Sequence, residues 1–150
     1  FNMEGYPEER FLALCEEVVA MRDRMLAEHR LSRDPERLAT RAELDLKQDA
    51  GAVVDIEFMV QYLVLGWAHA HPGLLAWTDA IRTLETARDA GIVTAGSATF
   101  LIDSYKEFRA EAHRTALANR PARTTRPELI ERAERVAGLW DALLGEGRDI

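Results

Sequence analysis

Asp55 and Glu57 stand two residues apart in the most apolar stretch of the chain, DAGAVVDIEFMVQYLVLGWAHAH (residues 49–71). An ionised carboxylate in apolar surroundings is costly unless a cation or hydrogen-bond donors meet it. Two chemistries fit the pair. In the first the carboxylates hold the fold together; in the second, Lys47, Asp55 and Glu57 face a cleft built partly from elsewhere. On a helix the two carboxylates diverge by about 200°, so they cannot chelate one ion while the backbone stays regular. Asp55 falls in the first turn, where the helix dipole favours negative charge. Glu57 and Gln61 are four apart and form one polar stripe. The structural reading pairs Glu57 with Arg22, which intrudes on the apolar stripe of an earlier helix and needs a carboxylate or a route to the surface.

Other chemistry-bearing patterns are absent from the sequence. Gly51, Gly66 and Gly73 do not have the spacing of a phosphate-binding loop. Ser32, Ser97 and Ser104 have no nucleophile-elbow context. His69 and His71 are two apart and point to different sides of a helix, so no metal site is expected. A basic run, Arg109, His113, Arg114, Arg120, Arg123 and Arg126, reads either as a solvated helix end or as a surface for an anionic partner. Cys15, the single cysteine, lies on an apolar helical face and reads as a buried structural thiol.

The elements that must position these residues are helical almost throughout. A first helix over about 7–30 carries Phe11, Leu14, Cys15, Val18, Met21 and Met25, with Pro7 in its first turn. A short helix follows from Ser32–Pro35 through Ala39, and DLKQDAGA reads as a loop closed by Gly51. The helix over 53–70 is apolar on two sides, with Ile56, Val60, Leu63 and Trp67 on one and Phe58, Tyr62, Leu65 and His69 on the other. Such a helix belongs inside a bundle. Pro72 and Gly73 end it. A helix over 77–90 has Thr78 as N-cap and Trp77, Ile81 and Leu84 inward, and Gly91 stops it. Thr94 caps a helix over 95–119. Thr125 and Glu128 have capping-box spacing before the last helix. No strand pattern stands out. The expected fold is all-α, a bundle of five to six helices in a single domain over residues 1–150.

Composition narrows the function classes. With 150 residues, 47% hydrophobic, the chain can bury a core without staples. A net charge of −7 argues against a nucleic-acid binder. The lone cysteine suits a reducing, cytoplasmic setting. No signal peptide is visible, since Glu4, Glu8 and Glu9 stand where a basic and then apolar region would be needed, and Asp55, Glu57 and Gln61 keep the apolar stretch from reading as a membrane span. Phe1 and Asn2 ahead of Met3 suggest added residues on a piece of a longer protein.

The block DLKQDAGAVVDIEFMVQYLVLGWAHAHPGLLAWTDAIRTLE (residues 45–85) resembles the C-terminal region of bacterial bifunctional glutamine synthetase adenylyltransferases, also called adenylyl-removing enzymes. The matching positions are Asp45, Leu46, Lys47, Gly51, Asp55, Ile56, Glu57, Phe58, Gln61, Tyr62, Leu63, Val64 and Leu65. Ala68-His69, Trp77-Thr78-Asp79 and Arg82-Thr83-Leu84-Glu85 continue the pattern. Upstream, Met21, Arg22 and Met25 are in register with a Met-Arg-x-Lys-Met stretch. Ala52 stands where the family pattern has the second glycine of a pair.

The resemblance implies a multifunctional enzyme of nitrogen regulation that transfers AMP from ATP, with Mg2+, to a tyrosine of glutamine synthetase and removes it by phosphorolysis. It implies glutamine as effector and PII protein as partner in the bacterial cytoplasm. The superfamily's Gly-Ser…Asp-x-Asp magnesium motif does not occur in this chain. Catalytic carboxylates are therefore expected on an upstream nucleotidyltransferase domain, with no catalytic residue and no metal in this bundle, which alone should be inactive. Lys47 is then expected at nucleotide phosphate, Gly51 to permit its close approach, Asp55 and Glu57 to support the cleft, and Arg22 to pair with Glu57. The rival expectations are a non-catalytic regulatory module binding glutamine or PII, and an accessory domain of a PII uridylyltransferase.

Overall fold

The computed structural model describes residues 8–150, so the role expected for Pro7 lies outside the described residues. Helix α1 (Glu8–Glu28) buries Phe11, Arg22 and Leu26 and half-buries Leu14, Cys15, Val18 and Val19. These positions repeat at helical spacing and fix its rotation. Met21, expected on the buried stripe, is 50% exposed, because the helix turns Arg22 inward instead. Cys15 is half-buried rather than buried, and its Sγ donates to the Leu144 carbonyl at 3.1 Å. Burial pushes its thiol pKa up.

Helix α2 (Pro35–Thr40) starts on a proline, which tolerates the first turn because no N–H is needed there. The chain then forms a two-residue strand β1 (Leu44–Asp45), pairing antiparallel with β2 (Arg123–Thr124) through Leu44–Thr124 and Asp45–Arg123. The sequence showed no sign of this clip.

Helix α3 (Val53–Trp67) occupies the middle of the bundle, against α1, α4, α5 and α6. Ile56, Val60, Leu63 and Trp67 are buried as expected, and Tyr62 with them. Of the second expected face, Phe58 is half-buried while Leu65 and His69 are exposed. Phe11, Tyr62 and Trp67 form an aromatic cluster with ring centroids 5.6 to 5.9 Å apart. A 3-10 turn (Pro72–Leu75) follows α3.

Helix α4 (Ala80–Asp89) starts later than the sequence suggests. Asp79, not Thr78, is the N-cap, accepting from Arg82 N at 2.9 Å. Trp77 therefore lies before the helix, 44% exposed, and not in the core. Gly91 ends α4 at φ +75°. Thr94 caps α5 (Ala95–Leu117), accepting from Ser97 N. Helix α6 (Pro127–Trp140) begins on a proline without a side-chain cap, so the expected Thr125–Glu128 box does not form. The neighbouring Thr124 hydroxyl accepts from Arg126 N instead. The helix widens into a π turn (Asp141–Gly145) that keeps Leu143 and Leu144 buried.

The described residues are thus a six-helix, all-α bundle with one small strand clip. None of these helices is long and apolar enough to cross a membrane.

Candidate functional site

The two carboxylates of the 53–70 helix part company in the structure. Asp55 is fully buried at the first turn of α3, and four hydrogen bonds converge on it. Arg22 Nε donates to Oδ1 at 2.6 Å. Arg33 donates to both oxygens at 2.8 Å, a bidentate fork. Gly51 N donates to Oδ2 at 2.7 Å. The Arg33 guanidinium also stacks on Trp140, 4.3 Å from the ring centroid. The Arg22 partner is therefore Asp55 and not Glu57, which corrects the expected ion pair. Asp55 lies inside the fold, against four donors, and does not support a cleft.

Around this pair the 45–52 turn is bonded throughout. Asp45 Oδ1 accepts from Lys47 N and Gln48 N at 3.0 and 2.9 Å. Arg22 Nη2 reaches the carbonyls of Gln48 and Asp49 at 2.6 and 3.3 Å. Arg41 Nη1 reaches Asp49 and the Ala50 carbonyl at 3.0 and 2.9 Å. Burial raises the Asp49 pKa, with Arg41 opposing the shift.

Gly51 sits at φ +83°, and a Cβ there would come within 1.8 Å of the Ala133 carbonyl oxygen on α6. Its close approach is therefore to a helix backbone, and the residue is buried, not open to a nucleotide. Ala52 is at φ −93°, a conformation open to any residue. The missing second glycine thus needs no special accommodation.

Glu57 lies on the opposite side of α3, exposed. Its Oε2 accepts from the Tyr105 hydroxyl at 3.1 Å, and that hydroxyl accepts from Arg109 Nη1 at 3.1 Å. Tyr105 and Arg109 are four apart on α5 and so share a face. Burial is the main reason the Tyr105 pKa is raised, with the Arg109 hydrogen bond opposing it. Arg109 is in turn held more firmly charged by its bond to Tyr105.

This Arg109–Tyr105–Glu57 chain forms a ridge between two open hollows. The first, about 450 Å³, is lined by Lys47, Gln48, Val53 and Val54 on one side and by Ala112, His113 and Ala116 on the other. The second, about 470 Å³, lies toward Gln61, Val64, Trp77 and Asp79. Glu57 and Arg109 line both.

Of the residues singled out in the sequence, the structure brings Lys47, Glu57, Arg109 and His113 to one face. It moves Arg22, Gly51 and Asp55 to another, internal cluster. Sequence reasoning missed Tyr105, which looks like one more apolar-stripe residue, although its spacing from Arg109 was visible. Arg33 was missed outright, because nothing local ties a loop arginine to α3. Among the described residues no group of three or more His, Cys, Asp or Glu is placed to hold a metal ion.

Residues 19–137 match the family model described as GlnD PII-uridylyltransferase. The chain belongs to this family. Relatives of the GlnD-type chain include the bifunctional glutamine synthetase adenylyltransferase/adenylyl-removing enzyme of Hahella chejuensis, 42% identical over 130 residues, covering 87% of this chain and 13% of that protein. The protein of the same name from Thioalkalivibrio sulfidiphilus is 41% identical over 97% of this chain and 15% of its own length. In Pseudomonas aeruginosa the identity is 54% over 51% of this chain and 8% of that protein. The resemblance read from residues 45–85 therefore holds along almost the whole chain. This GlnD-family chain spans only about a seventh of the length of these relatives.

Proposed function

We propose that the bundle is the C-terminal helical domain of a glutamine synthetase adenylyltransferase and supports ATP-dependent AMP transfer to, and phosphorolytic removal from, a tyrosine of glutamine synthetase. The adenylyltransferase reading is preferred to a uridylyltransferase because relatives at 42% identity over 87% of the chain carry the former name. In this reading the catalytic groups, Mg2+ and ATP belong to a nucleotidyltransferase domain outside the bundle. No carboxylate set among the described residues fits a metal.

The observation that carries the domain-level role is the exposed Glu57 carboxylate, held by Tyr105 on a ridge between two open hollows. A carboxylate fixed by a neighbour yet open to solvent is suited to meet a second surface. The face bearing Lys47, Glu57 and Arg109 would pack against the nucleotidyltransferase domain and complete its cleft.

Glu57→Ala in the whole enzyme tests this. The expected result is a loss of AMP transfer of about tenfold, the scale of one lost charged hydrogen bond, with an unchanged melting temperature. Unchanged transfer overturns the reading. Saturable calorimetric binding of glutamine or PII protein to the chain by itself, with transfer unaffected by Glu57→Ala, would favour a regulatory module.

A further inference from the structure

We propose that the hollow between residues 47–54 and the second half of α5 binds an oxyanion, either a phosphate monoester or a carboxylate, through Lys47, Arg109 and His113. The first support is where positive charge is left over. The chain carries a net −7, and three neighbouring arginines of the same basic run are matched to carboxylates outside the hollow. Arg114 donates to Glu111 at 2.8 Å, Arg123 to Glu43 at 2.7 Å, and Arg126 to Glu128 at 2.7 Å. Lys47 and His113 make no side-chain hydrogen bond or ion pair among the described residues, and Arg109 bonds only the Tyr105 hydroxyl. Glu57 at the rim offsets one charge, and the hollow keeps a positive excess even with His113 neutral.

The second support is shape and lining. A volume of about 450 Å³ admits an anion with an organic body, and Val53, Val54, Ala112 and Ala116 supply an apolar wall for that body. Finally, Tyr105 anchors Arg109 by one Nη only, which leaves the rest of its fork free for an anion.

The test is calorimetric titration of the 150-residue chain at low ionic strength with inorganic phosphate, phenyl phosphate and succinate. Saturable binding is expected, with phenyl phosphate tighter than inorganic phosphate because of the apolar wall. Lys47→Gln and Arg109→Gln should each weaken it by about tenfold. Arg120→Gln, an exposed arginine outside the hollow, should leave it unchanged. Binding of the phosphates alone assigns the site to phosphate esters; binding of succinate alone assigns it to carboxylates. Failure of all three probes to saturate overturns the proposal, as does equal weakening by Arg120→Gln. Neither result touches the Glu57 reading above, which is measured by AMP transfer.

Discussion

Gly51→Ala is the substitution whose cost the structure defines most closely. Two penalties add. At φ +83° a Cβ-bearing residue pays about 1–2 kcal/mol for the left-handed backbone. The new methyl would also lie 1.8 Å from the Ala133 oxygen and 2.6 Å from its carbon, both backbone atoms of a helix that cannot rotate aside. Forced repacking of that kind costs about 1–3 kcal/mol. The sum is about 2–5 kcal/mol, a large part of the roughly 5–15 kcal/mol that holds a domain folded. At about 2–4 °C per kcal/mol for this size, the melting temperature should fall by about 4–20 °C. Thermal and urea unfolding followed by far-ultraviolet circular dichroism measure it. Ala52→Gly is the matched control, at an ordinary φ and with nothing to relieve, and should cost about 1 kcal/mol or less. A Gly51→Ala protein that melts within about 2 °C of the parent would refute both the left-handed backbone and the close approach to α6.

Arg22→Met should destabilise the chain by about 3 kcal/mol, the lower end for a broken buried pair, because Arg33 and Gly51 N still meet Asp55. Glu57→Ala should cost under about 1 kcal/mol, and chemical denaturation of the two variants side by side distinguishes the internal carboxylate from the exposed one. Glu111 has its pKa lowered chiefly by the Arg114 hydrogen bond, with Thr124 and Arg126 adding to the effect. A lowered folded-state pKa contributes stability that is present above the unfolded value, near pH 4.3, and is lost as pH falls through the folded value. The difference in melting temperature between the parent and Glu111→Gln should therefore shrink as pH is lowered from about 6 to 3.

Where the determinants are local, the sequence was readable. Thr94 before α5 and Gly91 after α4 act through bonds within a few residues, and both stand where expected. The buried positions of α6, Leu129, Ala133, Val136, Ala137 and Trp140, recur at helical spacing, a determinant of the same local kind. The start of α4 was misjudged because Thr78 and Asp79 are adjacent capping residues, and only packing decides between them. That one-residue choice also misplaced Trp77. The β1–β2 clip joins residues about 80 positions apart and leaves no periodic trace. The partner of Arg22 was undecidable for a related reason. Asp55 and Glu57 lie almost equally far along the chain, and the choice depends on how α1 rotates. Residues that now share the open face, Lys47, Glu57, Tyr105, Arg109 and His113, come from three separate segments, and only the packing of α5 across α3 assembles them.

The bonding of the 45–52 turn has a consequence for recognition. Its backbone is fixed by Asp45 and Asp49 from within and by Arg22 and Arg41 from behind. A partner arriving at Lys47 thus meets a surface that is already ordered. It freezes only side-chain rotamers, about 0.5–1.5 kcal/mol for each one immobilised, rather than a whole loop. The docking proposed for this face would therefore be rigid-body in character, with the same backbone before and after contact. Variants there should act on how long a complex lasts more than on how fast it forms.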